Sequence, residues 1–375
     1  MTSPAQSDQP LAYFSGGVEP AFTASAQLTR SWLSAIGTHL SPSHHPQDNA
    51  TTYSFPRLPE TSQQRRDASL IEPTSSAQPF TQSDLATASE KQKSVLYLAY
   101  GSNLCSETFR GVRGIRPLSQ INVLVPSLRL TFDLPGFPYK EPCFANTAMR
   151  DPNPATADYH KDKWHKGLVG CVYEVTVSDY AHIIATEGGG AGYQDIVVDC
   201  YPLPGGDTVP EIPPTNRFIA HTLYAPIDRA HSRPDPSYAQ PSARYLNLIT
   251  TGATELALPI EYQAYLKDIR TYTITTPKQE MGQRVFLGIW YPFIMMILKL
   301  NEKFQDDQGR SPPWLANLAS LIFISMWMCY DAVFKRNFGD GERTEGDEAL
   351  GTYDDHYKEV KGILRVIEER DEGLV

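Results

Sequence analysis

The run Val95-Leu96-Tyr97-Leu98-Ala99-Tyr100 ends abruptly at Gly101-Ser102-Asn103. Six consecutive apolar or aromatic residues followed by a glycine turn read as a buried strand whose end opens onto a ligand loop. Glycine lets the backbone approach a bound molecule closely, and successive N–H groups after a strand can form a nest for a carboxylate. Such a strand needs partners. Leu128 to Asp133, Leu168 to Val175, Gln194 to Cys200 and Phe218 to Tyr224 supply them, each short, β-branched or aromatic, and bounded by Gly, Pro or Asp. Helical character falls at Ser178 to Thr186, Ala239 to Thr250 and Ile260 to Ile269. The irregular alternation predicts a small α/β domain with a mixed sheet, flat or curled, rather than a doubly wound one.

The rest of the chain has a different character on each side of this domain. Residues 1–94 are rich in Ser, Thr, Gln, Pro and Ala without a sustained period, which predicts a disordered segment. Within it, Gln27 to Leu40 has the spacing of a short amphipathic helix. Beyond Pro277, Val285 to Leu300 is almost wholly apolar, and Trp314 to Phe334 is apolar with few interruptions. Residues 280–338 therefore read as a hydrophobic helical hairpin, with membrane anchoring through 285–334 as one reading and packing on the domain or a dimer contact as the other. Residues 339–375 form an acidic tail in which Tyr353 to Glu369 has helical spacing.

Charge and cysteine usage narrow the function classes. The 375 residues carry 33 Lys and Arg against 43 Asp and Glu, a net charge of −10 with no basic stripe, so nucleic acid is not an expected partner. Cys105, Cys143, Cys171, Cys200 and Cys329 are widely spaced, with no CxxC pair and no histidine at zinc-ligand spacing. Their odd number and lack of framework predict free thiols in a reducing compartment and no metal or cofactor. The N-terminus lacks a basic patch followed by an apolar run, so the cytoplasm is the expected location.

Three stretches carry candidate chemistry. The first is Tyr97-Leu98-Ala99-Tyr100-Gly101-Ser102-Asn103-Leu104. The second is Ala185-Thr186-Glu187-Gly188-Gly189-Gly190-Ala191-Gly192-Tyr193, a carboxylate at the end of a helix followed by four glycines in five residues, which would give a ligand access to it. The third is Pro241-Ser242-Ala243-Arg244-Tyr245, followed by Thr251-Gly252-Ala253 and Leu258-Pro259-Ile260-Glu261-Tyr262-Gln263. Singly, each is also compatible with an ordinary turn, a solvated helix end, or a helix–turn–helix.

Together, in this order and spacing, the three resemble the γ-glutamyl cyclotransferase family of the YGSNL type, in a fungal form with a hydrophobic C-terminal extension. The resemblance covers residues 95–275, about half the chain. It implies a small mixed β-barrel flanked by helices. It implies Glu187 as the catalytic proton acceptor, and a substrate site lined by Tyr97, Leu98, Ala99, Tyr100, Gly101, Ser102 and Asn103, with Tyr245 as a substrate-contacting tyrosine. The implied substrate is a γ-glutamyl amino acid, glutathione or a glutathione conjugate, and similar fungal proteins act on glutathione-derived adducts. A γ-glutamyl group contains its own nucleophile: its α-amine attacks its γ-carbonyl, closes 5-oxoproline and releases the attached amine. The α-amine is largely protonated near neutral pH, so a base such as a partly desolvated Glu187 is required. A γ-glutamylamine cyclotransferase and a catalytically silent, membrane-tethered γ-glutamyl-binding scaffold or sensor are the competing readings, and the sequence leaves oligomeric state open.

Overall fold

A computed structural model of the chain describes residues 55–71, 93–150, 164–186, 194–203, 205–225, 233, 235, 238–304 and 312–346. The expected helices at Gln27 to Leu40 and Tyr353 to Glu369, and the stretch Glu187 to Tyr193, lie outside the described residues.

Five strands close into a barrel: β1 (Ser94–Ala99), β2 (Ser119–Val125), β5 (Leu168–Thr176), β6 (Gln194–Pro202) and β7 (Phe218–Tyr224), in spatial order β1-β5-β2-β6-β7. The barrel is mixed. β1 meets β7 in parallel, with Tyr97 opposite His221, while the other pairings are antiparallel. β5 lies between β1 and β2, which explains its nearly continuous apolar sequence: Leu168, Val169, Cys171, Val172 and Tyr173 are all buried. Burial drives the Cys171 thiol up to about 12, as expected of a small core residue rather than a nucleophile. All five cysteines are free thiols.

Strands β3 (Leu128–Phe137) and β4 (Glu141–Met149) form a separate antiparallel hairpin, with a register shift between Thr131 and Leu134. Tyr139 at its tip has φ of 64°, a left-handed conformation unfavourable for a bulky residue. Three hydrogen bonds hold it: its N–H donates to the Gly341 carbonyl at 2.7 Å, its hydroxyl donates to the Gly339 carbonyl at 2.8 Å, and its carbonyl accepts from Gln283 Nε2 at 2.6 Å. The hairpin tip is thereby locked into the C-terminal part of the chain.

Within the segment expected to be disordered, residues 55–71 are ordered. Helix α1 (Gln63–Ser69) is capped by Ser62, whose hydroxyl accepts the Arg65 N–H. The segment docks on the barrel: the Thr61 N–H donates to the Gln120 carbonyl, and the Ile219 N–H donates to Ser69 Oγ at 2.9 Å.

Helix α2 (Val177–Thr186) follows β5 directly, and α3 (Ala243–Glu255) and α4 (Ile260–Asp268) follow the barrel. Helix α3 begins at Ala243, not at the expected Ala239, because Ser242 is its N-cap: its Oγ accepts the Tyr245 N–H at 3.0 Å. The two apolar runs form α5 (Pro277–Phe304) and α6 (Pro313–Cys329), the latter continued by a π-helical turn, Tyr330–Phe334, and by α7 (Lys335–Phe338). The start of the acidic tail is folded in. Asp340 and Glu342 are buried, and Arg233 reaches both Asp331 (2.6 Å) and Glu342 (2.7 Å). Gln279, fully buried, donates to the Asp340 carbonyl at 2.8 Å and ties the start of α5 to the same knot.

Candidate active site

The turn after β1 is held from several sides. The Gly101 carbonyl accepts the Leu104 N–H and the Ser102 carbonyl accepts the Cys105 N–H, closing a 3-10 turn over Ser102–Leu104. Asn103 Nδ2 donates to the Tyr97 hydroxyl at 2.9 Å, pinning the turn to the strand before it. The Tyr100 hydroxyl donates to the Leu223 carbonyl at 2.7 Å, and Thr222 Oγ1 donates to the Leu98 carbonyl at 3.0 Å, which fasten the same turn to β7. Leu98 and Ala99 are buried in the barrel wall, so their side chains contribute packing.

The Pro-Ser-x-x-Tyr block meets this turn. With Ser242 at the N-cap, Tyr245 lies in the first turn of α3, and its hydroxyl accepts the Ala145 N–H at 3.1 Å. A side chain added at Gly101 would find that hydroxyl 3.6 Å away and Ala145 Cβ 3.5 Å away. Gly252, about two turns further along the same face of the helix, has a stricter role: a Cβ there would lie 2.3 Å from the Leu104 carbonyl carbon and 2.4 Å from the Cys105 nitrogen. The helix therefore presses its backbone against the YGSNL turn, an approach that only glycine permits.

Residues not singled out in the sequence complete the surroundings. Glu141, buried on β4, accepts from Ser242 Oγ at 2.6 Å and from Arg244 Nε at 2.7 Å, fixing the capped end of α3 and with it Tyr245. Asn146, also buried, donates to the Asp133 carboxylate and the Ala225 carbonyl and accepts the Ala225 N–H, joining β4 to the end of β7. On the neighbouring wall, His221 Nδ1 lies 3.0 Å from both oxygens of Asp195, and the Tyr180 ring of α2 packs on His221 and Tyr97. Burial and the Asp195 carboxylate keep the Tyr180 hydroxyl well above the usual phenol range. Asp195 and Tyr180 flank in sequence the stretch that contains Glu187, and the charged or titratable residues Asp195 and His221 within otherwise apolar strands are the signal that could have found this wall.

The structure thus brings Tyr100 to Asn103 and Tyr245 to one place, while Glu187 lies outside the described residues. Over 263 residues the chain is 31% identical to a γ-glutamyl cyclotransferase of Aspergillus oryzae named aclK, a match covering 68% of this chain and 92% of that one. The chain belongs to the γ-glutamyl cyclotransferase family. A second member, gliK of Aspergillus fumigatus, is 32% identical over 253 residues, or 66% of this chain and 89% of its own. The C-terminal helices match the family model described as the AclK C-terminal domain over residues 276–336. A solved γ-glutamyl cyclotransferase aligns with 50% of this chain and 96% of its own at 22% identity and a TM-score of 0.36. The closed mixed barrel with flanking helices is the architecture that the sequence resemblance implied.

Proposed function

We propose that this γ-glutamyl cyclotransferase family member converts a γ-glutamyl group into 5-oxoproline and releases the attached amine, amino acid or peptide. The observation that carries this reading is the convergence of the Tyr245 hydroxyl, Gly101 and the Ala145 N–H at the end of β1. In this scheme the N–H groups of Gly101 to Asn103 hold substrate oxygens and stabilise the developing oxyanion. Tyr245 and Tyr100 fix the wall, and Tyr97 and Asn103 keep the turn rigid. Glu187 takes a proton from the α-amine and delivers one to the departing nitrogen as the lactam closes, a contribution of roughly 10²–10⁴ in rate. Holding the chain in its ring-closing rotamer adds the entropic advantage of an intramolecular reaction.

The substrate class assigned is a γ-glutamyl amino acid, glutathione or a glutathione conjugate. A γ-glutamylamine cyclotransferase would use the same ring closure with another leaving amine, and a silent γ-glutamyl-binding scaffold would use the pocket without the base. Incubation of the purified chain with glutathione, γ-glutamyl-alanine and γ-glutamyl-lysine, followed by assay of 5-oxoproline, separates them. Release from glutathione or γ-glutamyl-alanine is expected. Release from γ-glutamyl-lysine alone would identify the amine-specific enzyme, and binding without release would identify the scaffold. We place the enzyme in the cytoplasm and at a membrane through residues 285–334, on the strength of two helices long and apolar enough to cross one, Pro277–Phe304 and Pro313–Phe338.

A further inference from the structure

We propose that α5 lies in the plane of a membrane surface and docks, through one exposed ridge, on anionic lipid headgroups instead of spanning the bilayer. The inference rests on the membrane reading above and is independent of the cyclotransferase chemistry. Met281, Val285, Ile289, Phe293 and Met296 follow one another in steps of four, four, four and three, and each is 38 to 55% exposed. At 3.6 residues per turn these steps draw a single ridge along the helix. The same steps place exposed Lys278 just before it and exposed Lys299 and Lys303 just after it. The acidic residues of the helix are elsewhere: Glu280 and Glu302 lie off the ridge, and Glu280 is paired with Arg284. On α6, Trp314, Leu321 and Met328 recur every seven residues and are 50 to 67% exposed, an apolar line along that helix.

An apolar ridge with lysines at both ends suits an interface where the ridge enters the acyl boundary and the ammonium groups remain among phosphates. A transbilayer placement suits it less. Val285 to Leu300 rises about 24 Å, short of the roughly 30 Å hydrocarbon core. Pro292 has no N–H to give the Gly288 carbonyl, and both residues are exposed, with nothing within 4 Å of a Cβ built at Gly288. That carbonyl can be hydrated at an interface, whereas facing lipid in the hydrocarbon core it would stay unsatisfied. The opposite face is already occupied: Gln279, Phe286, Ile294 and Ile297 are fully buried. Pairing this ridge with a second copy would set lysine ends against lysine ends in either direction, which charge opposes.

Full-length protein should co-sediment with vesicles containing phosphatidylserine, far less with phosphatidylcholine alone, and should be released by alkaline carbonate. Replacing Lys278, Lys299 and Lys303 together by Ala should weaken partitioning by roughly 100-fold. Ile289→Asp with Phe293→Asp should abolish it, while 5-oxoproline release in solution stays at the parental level as the control for folding. Carbonate-resistant, protease-protected association would overturn the in-plane docking but keep the membrane reading. Failure to bind any vesicle would overturn both. A dimer by light scattering that the Ile289 and Phe293 substitutions dissolve would assign the ridge to a second copy and overturn the lipid assignment.

Discussion

Removing the Tyr245 hydroxyl takes away the acceptor of the Ala145 N–H and a polar group 3.6 Å from where a Gly101 Cβ would stand. Tyr245→Phe should cost about 1 kcal/mol in stability, the worth of one hydrogen bond, and, on the proposed role of Tyr245 as a substrate contact, lower kcat/KM by roughly 10- to 100-fold. Steady-state assay of 5-oxoproline beside a melting curve checks both parts, and unchanged kcat/KM would remove Tyr245 from the site. Glu261 belongs to the same sequence block but has another task. Burial pushes its carboxyl up, but the Lys166 ammonium at 2.7 Å and the Val209 N–H outweigh this and hold it below the usual range. A carboxyl lowered in the folded state contributes stability above its unfolded value, about 4.3, and that contribution disappears as pH falls through the folded value. Calorimetry of Glu261→Gln should therefore show a lower Tm than the parent at pH 7, with the gap closing in acid below about pH 4. An equal gap at all pH values would refute the assignment.

Among the elements, α3 and the YGSNL turn form the tightest contact of the site. Gly252→Ala places a methyl 2.3 Å from the Leu104 carbonyl carbon, so the helix must shift from the turn. A loss of about 1–3 kcal/mol is expected, read as a lower denaturant midpoint, together with reduced activity. A variant with parental midpoint and activity would show that the contact is loose. This contact was half legible in the sequence. The sequence placed Tyr245 on a helix but ended that helix at Thr250, two residues short of Gly252, and spacing alone does not show that the Gly252 backbone must touch Leu104. β1, β5, β6 and β7 are legible because each is a short apolar run between turn residues. β4 is not: Glu141, Pro142, Asn146 and Thr147 resemble a loop, and their burial becomes understandable once Ser242, Arg244, Ala225 and the Arg129 carbonyl are seen as partners. β2 is similarly hidden, since Ser119, Gln120 and Asn122 interrupt its apolar residues while serving Pro59 and Thr61, Glu174 and the Leu256 carbonyl. The α5 helix begins eight residues before its apolar run because Gln279 and Gln283 bond to the Asp340 and Tyr139 carbonyls, a role that hydropathy does not register.

At the scale of the whole molecule, the C-terminal helices are joined to the barrel domain by buried polar groups as well as by apolar packing. Arg233 lies in the connection between β7 and α3, and its two carboxylate partners both belong to the C-terminal part. A chain ended at Thr275 would remove both partners and strip Phe286 and Tyr330 from Phe137 and Tyr139, each buried ring being worth about 1.5–3 kcal/mol. Since a domain has about 5–15 kcal/mol in total, the shortened chain should be insoluble or lack a cooperative melt. A soluble fragment with the parental Tm would show the helices to be a detachable appendage. The central claim concerns chemistry, however: the proposal that Glu187 supplies the proton transfer for a site built from a barrel, a glycine turn and a capped tyrosine helix. The direct measurement is 5-oxoproline release by Glu187→Gln on the substrate the parent turns over best, with ligand binding measured in parallel. The account predicts a folded protein that binds this substrate and releases at least 100-fold less product, in line with the roughly 10²–10⁴ ascribed to positioned proton transfer. Release at the parental rate would contradict it.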